Sequence, residues 1–284
     1  MRVARIDPMR ISVSTIVAAA PVRVGVFDSG VGGLSVLRAL REQLPGAALH
    51  YVADAGHAPY GERSDEHVVA RARCVVSHLI DGGAQFVVIA CNTATAVAGQ
   101  LLRETWPQTP IVGVEPGIKP ALLATRNGRI GVMATRATLG SEKFKRLAAR
   151  LVAREALHLR ACDGLAAAIE LGELNDPKVL ELVETHCAPL RERGVDTVVL
   201  GCTHYAFVRQ QIQAAMGAAV QIIDTAEAVA RHAANVVHKT RADADNMADA
   251  APTLVLQTTG NAEQFQRFAT SWLGTQTAVS RVAI

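Results

Sequence analysis

V-V-I-A-C-N-T-A-T-A, Val87 to Ala96, decides the fold together with its counterpart V-V-L-G-C-T-H-Y, Val198 to Tyr205. In each, a run of apolar, largely β-branched residues predicts a buried strand. The run stops at a cysteine, and Thr or Asn then leads into a helical pattern. Strands buried on both faces and followed by helices belong to parallel sheets, whose ligands bind in the crevice outside the carboxyl ends of the strands. Cys91 and Cys202 therefore stand where chemistry is expected.

Outward from these stretches, strand-like and helix-like segments alternate from Val22. V-R-V-G-V-F reads as a strand, D-S-G-V-G-G as a turn, Leu34 to Leu44 as a helix and Ala48 to Ala53 as a strand. D-A-G-H-A-P-Y-G follows as a loop, Asp65 to Ile80 as a helix, and Gln85 to Ala90 as the strand to Cys91. A helix from Thr93 or Ala94, a strand at Ile111 to Val114 and a helix to about Thr125 complete a first half. The layout then restarts: Ile130-Gly131-Val132 stands where Val24-Gly25-Val26 stood. Gly25 and Cys91 are 66 residues apart, Gly131 and Cys202 71. Helices at about Ser141 to Arg154, Gly164 to Leu171 and Pro177 to Arg193, with a strand near Ala156 to Arg160, fill this second half. After Cys202 come a helix, the strand Val220 to Ile223, a helix from Asp224, a polar connection at Thr240 to Ala251, the strand Thr253 to Leu256 and a helix from Asn261. The predicted class is α/β, with two similar units of parallel sheet flanked by helices and a cleft between them.

Composition narrows the function. The 284 residues are 50% hydrophobic, enough for one large or two ordinary domains with ample core. A net charge of +3, with no block of Lys and Arg, gives no case for nucleic acid as the main partner. All apolar runs are too short to span a membrane. Five cysteines without a C-x-x-C pair fit a reducing cytoplasm better than a disulfide framework or zinc ribbon. Residues 1–21 have no partner in the repeating pattern. Ile11 to Ala20 faintly resembles a signal peptide, but Asp7 and the Ser/Thr-broken apolar run favour a disordered or late-start extension.

Two thiols flanking one cleft would suit a reaction in which a proton leaves one face of a carbon and returns on the other, as in racemisation or epimerisation. A thiolate serves as a general base when a helix N-terminus or a cation lowers its pKa, and each cysteine here precedes a helical pattern. His204 is placed to assist Cys202, and Asp28 to accept or relay a proton near Cys91. The alternative reading is packing, since cysteine is among the most buried residue types. Cys74, Cys162 and Cys187 are left at that reading. D-S-G-V-G-G has the glycines of a phosphate or carboxylate loop but is not G-x-G-x-x-G, and no Walker lysine follows. N-T-A-T after Cys91, with Thr203, offers donors for a small zwitterion or simply helix caps. Cys202 and His204 fall far short of a zinc site. No lysine is marked as a pyridoxal partner, so no metal and no cofactor is expected.

F-D-S-G-V-G-G-L, Y-V-A-D-A-G-H-A-P-Y-G, V-I-A-C-N-T-A-T, G-V-E-P-G-I-K-P-A and L-G-C-T-H-Y, in this order, resemble the glutamate racemases of the cofactor-independent aspartate/glutamate racemase superfamily. The resemblance runs from Val22 to about Trp272. It implies a first domain of residues 22–116 plus 225–284, a second of residues 117–224, and an active site between them. Cys91 would then take the α-proton of D-glutamate and Cys202 that of L-glutamate. Asp28 and Ser29 would lie beside the first thiol, and His204 would support the second with Glu170 near it. Asn92, Thr93 and Thr203 would hold the α-amino and α-carboxylate groups. Pro59, Tyr60 and Gly61 match a substrate-binding loop, and Thr135 and Thr138 are further substrate contacts. The chain departs from the family at Ala206, often proline, and in C-D-G-L-A-A-A-I before Glu170. Also implied are a homodimer, a cytoplasmic location and supply of D-glutamate for peptidoglycan. The rival readings are an aspartate racemase and a noncatalytic amino-acid binding protein.

Overall fold

The computed structural model describes residues 21–151, 156–241 and 253–284. Residues 1–20 and most of the Thr240 to Ala251 connection lie outside the described residues. The chain runs β1 (Arg23–Asp28), α1 (Leu34–Gln43), β2 (Ala48–Ala53), α2 (Asp65–Asp81), β3 (Phe86–Ile89), α3 (Asn92–Val97), α4 (Gly99–Thr105) and β4 (Ile111–Gly113). It continues α5 (Ile118–Ala124), β5 (Ile130–Ala134), α6 (Arg136–Gly140), α7 (Glu142–Leu151), β6 (Leu157–Ala161), α8 (Leu165–Glu170), α9 (Pro177–Glu192), β7 (Thr197–Gly201), α10 (Arg209–Met216) and β8 (Gln221–Ile223). It ends α11 (Ala226–Arg241), β9 (Leu254–Thr258), α12 (Ala262–Leu273) and β10 (Val279–Arg281).

Two sheets result, in the orders β10-β9-β2-β1-β3-β4 and β6-β5-β7-β8, and every strand pair is parallel. The fold is α/β, two parallel sheets flanked by helices. Their central registers repeat. Gly25 pairs with Val87, and Gly131 with Val198, so each cysteine stands four residues beyond the partner of a central glycine. Both glycines answer to the same packing. A Cβ on Gly25 would lie 3.0 Å from Leu79 of α2, and one on Gly131 3.1 Å from Leu190 of α9, so each lets a helix settle onto its sheet.

Helix limits follow their local chemistry. Asp176 caps α9, with Pro177 at its first position; Asn261 caps α12, which closes on Gly274 at φ +61°. One apolar cluster runs from Val24 and Leu37 of the first sheet's layers to Leu165, Leu200 and Ile212 of the second, so the two sheets share a core on one side. Elsewhere the structure corrects the sequence reading. The helix expected after Cys202 begins as a 3₁₀ turn, Thr203–Val208, and the one after Cys91 breaks at Ala98 into α3 and α4. The loop D-A-G-H-A-P-Y-G contains two 3₁₀ turns, Ala55–His57 and Tyr60–Glu62. α6 and the edge strand β10 were not foreseen, because each is too short to carry a periodicity.

Candidate active site

Cys91 caps α3 at the end of β3. Its sulfur accepts the Ala94 N–H at 3.4 Å, and its thiol donates to the Ser29 hydroxyl at 3.6 Å. The helix N-terminus thus reaches the sulfur as expected, but it does not win. Burial, with the nearby Asp28 carboxylate, pushes the Cys91 thiol up to about 12 against those two bonds. The expectation of a lowered pKa is corrected here: the thiol is held protonated.

Cys202 sits differently. It caps only a 3₁₀ turn and receives no backbone N–H; its sulfur lies 3.7 Å from His204 Nδ1. His204 Nε2 in turn meets Glu170 Oε1 at 2.5 Å. Burial alone would discharge His204. Its hydrogen bonds to the Cys202 sulfur and the Glu170 carboxylate outweigh that burial and hold its pKa well above the usual value. The second thiol therefore has an imidazole neighbour whose charged form its partners favour, and the first has none.

Several bonds cross between the halves at these thiols. The Val31 N–H donates to the same Glu170 oxygen at 2.7 Å, and the Thr203 hydroxyl donates to Asp28 Oδ2 at 3.0 Å. Asp28 is fully buried and also accepts the Gly30 N–H at 2.8 Å; burial raises its pKa despite His204 opposite. D-S-G-V-G-G is thus a carboxylate loop whose carboxylates, Asp28 and Glu170, belong to the protein. Its glycines permit close contact. A Cβ on Gly32 would lie 2.5 Å from His204 Nδ1 and 2.6 Å from the Thr203 hydroxyl.

Thr93, Thr135 and Thr138 form a triangle across the halves: their hydroxyls lie 2.9 Å (Thr93 to Thr135), 3.3 Å (Thr93 to Thr138) and 2.9 Å (Thr135 to Thr138) apart. Beside them the Asn92 amide is buried and has no hydrogen-bond partner on either its nitrogen or its oxygen. A buried amide left in this way calls for a ligand with both a donor and an acceptor. Gly61 packs on Thr135, whose Cβ would lie 2.6 Å from a Cβ there. Tyr60 is less simply placed. Its hydroxyl turns back to donate to Asp54 at 2.5 Å, so what the Pro59-Tyr60-Gly61 loop can offer a ligand is its backbone. Pro59 and Glu170 both line a cavity of about 210 Å³ that also touches Gln264 and Phe265.

The sequence-predicted residues are thus gathered at the facing strand ends. Sequence reasoning missed Val31, which donates to Glu170, and Asp54, which accepts from Tyr60. Asp54 stands directly after a buried strand, as Cys91 does, and the same rule would have found it.

The sequence model of the Asp/Glu/hydantoin racemase family matches residues 24–233. A glutamate racemase of Pseudomonas paraeruginosa is 43% identical over 267 residues, covering 94% of this chain and 100% of its own length. One of Ectopseudomonas mendocina is 50% identical over 208 residues, covering 73% of this chain and 79% of its own. Among solved structures, a glutamate racemase isoform of Bacillus anthracis superposes with a TM-score of 0.82 at 33% identity, covering 94% of this chain and 99% of its own. The Escherichia coli glutamate racemase in complex with L-glutamate and the activator UDP-MurNAc-ala gives 0.80 at 30% identity, covering 93% and 98%. With this similarity along its length, the chain belongs to the Asp/Glu/hydantoin racemase family and stands among its glutamate racemases.

Proposed function

We propose that this enzyme interconverts L- and D-glutamate with two bases: one of Cys91 and Cys202 removes the α-proton and the other returns a different proton to the opposite face of the α-carbon. The observation that carries the reading is the matched placement of the two thiols, one after β3 and one after β7, each four residues past the partner of a glycine, with the hydrogen bonds Thr203 to Asp28 and Val31 to Glu170 crossing between the halves beside them.

With His204 Nδ1 3.7 Å from its sulfur to hold the thiol proton, Cys202 takes the α-proton of L-glutamate, its S–H bond forming as C–H breaks. Cys91, a thiol by its high pKa, gives its own proton to the opposite face of the planar carbanion. D-glutamate runs the steps in reverse. Asp28, buried and hydrogen-bonded to Thr203 beside Cys202, relays protons near Cys91. Asn92, Thr93 and Thr203 hold the α-amino and α-carboxylate groups, Ser29 steadies the first thiol, and Glu170 holds His204 charged. Thr135, Thr138 and the backbone of Pro59-Tyr60-Gly61 close over the substrate. Because the α-hydrogen is a very weak acid, desolvation and fixed donors to the carboxylate as it becomes enolate-like must lower the barrier.

The division into domains of residues 22–116 with 225–284 and 117–224 accords with which strands share a sheet. The family resemblance supports a homodimer in the cytoplasm that supplies D-glutamate for peptidoglycan. No helix among the described residues is long and apolar enough to cross a membrane. The test is circular dichroism of L-glutamate with purified, reduced protein and no added cofactor. Decay to zero supports the reading. A stable signal, or faster loss with aspartate than with glutamate, overturns the substrate assignment.

A further inference from the structure

Asp54 follows β2 and is fully buried, yet it takes no part in the proton path above. Its carboxylate accepts four side-chain hydrogen bonds: from Arg71 Nε at 3.0 Å and Nη2 at 2.9 Å, from the Thr259 hydroxyl at 2.8 Å, and from the Tyr60 hydroxyl at 2.5 Å. Its own N–H donates to the Asp28 carbonyl at 2.9 Å, which ties it to the strand end that carries a site carboxylate. Arg71 reaches on to the Ile284 carbonyl at 2.9 Å. A buried carboxylate is tolerated only when paired and fully hydrogen-bonded, and this one is.

What the cluster holds is Tyr60. Burial and the Asp54 charge keep the Tyr60 hydroxyl protonated, so it donates. Tyr60 and Gly61 open a 3₁₀ turn, and their N–H groups have no partner within it. Gly61 is pressed on Thr135 of the opposite half. Anchoring the ring from behind therefore fixes both the backbone donors and the inter-half contact.

We propose that Asp54, clamped by Arg71 and Thr259, is a positioning residue that sets the Tyr60-Gly61 backbone against Thr135 and so governs how tightly glutamate is held, without touching the reacting atoms. The inference rests on the racemase reading.

Tyr60→Phe removes one hydroxyl and keeps the ring, so it tests the link in folded protein. KM for both enantiomers should rise about tenfold, the weight of one charge-assisted hydrogen bond, while kcat falls less than about threefold. Asp54→Asn should show the same split more strongly, and Arg71→Lys should recover part of the KM that Arg71→Gln loses. An unchanged KM in Tyr60→Phe overturns the inference, as does a fall in kcat alone, which would put the hydroxyl at the reacting atoms. Wild-type protein in the same assay separates the two levels. If it does not racemise glutamate, the racemase reading and this inference fail together; if it does and Tyr60→Phe matches it, only this inference fails.

Discussion

Gly30 and Glu170 meet so closely across the two halves that no side chain fits between them: a Cβ on Gly30 would overlap the Glu170 carboxylate. The glycine therefore serves the second thiol at a distance. It lets Val31 and His204 share one carboxylate oxygen, at 2.7 and 2.5 Å.

Gly30→Ala should displace Glu170 and mimic Glu170→Gln. Each should lower kcat/KM roughly ten- to hundredfold, about 1.4–2.8 kcal/mol. Enantiomers are equal in energy, so the loss must be the same in both directions. Because the two changes strike one interaction, the double variant should cost little more than either single one; simple additivity in the steady-state rates would contradict the link. Glu170 also raises the pKa of His204, so in Glu170→Gln the alkaline limb that depends on imidazolium should move to lower pH.

Cys91→Ala and Cys202→Ala should each lose racemisation by at least about a thousandfold while keeping their thermal midpoints within a few degrees, the weight expected of a general acid or base. Substantial turnover by either variant, measured by polarimetry, would remove that cysteine from the mechanism.

Stability should fall on the alkaline side. Burial raises the Cys91 and Cys187 thiols to about 12 from a value near 9.0. The folded protein then holds these protons more tightly than the unfolded chain. The stability this confers is complete below about pH 9 and is lost as pH rises towards 12. His204, also raised, begins to withdraw its contribution above about 6.5. Urea midpoints should therefore drop between pH 8 and 10.5, with a shallower slope in Cys187→Ala. A flat midpoint would show that the thiols are not buried as protonated groups.

The architecture was legible because its signals are periodic. Val87–Ala90 and Val198–Gly201 are short, largely β-branched apolar runs of strand length, and the glycines at 25 and 131 repeat for one packing reason, the approach of Leu79 and Leu190. The thiols were legible by their place at strand ends. Their electrostatics were not. The same helix-start chemistry precedes two opposite settings: buried with a carboxylate at Cys91, paired with His204 at Cys202. Which wins depends on groups far away in sequence, above all Glu170. The glycine loop has the composition of a phosphate or carboxylate loop, but only the fold reveals that the carboxylates its N–H groups meet are Asp28 and Glu170. Tyr60 was read as a ligand contact from its motif, whereas Asp54, six residues earlier, turns its hydroxyl away.

The two-thiol claim is tested most directly by the fate of the α-proton. L-Glutamate is racemised in D₂O to a few per cent conversion, and deuterium is measured separately in recovered L-substrate and in D-product. Two thiols on opposite faces predict D-product fully deuterated at Cα and L-substrate almost unlabelled, with the mirror result from D-glutamate. Product retaining the original protium would mean that one base both removes and returns the proton, and would contradict the account.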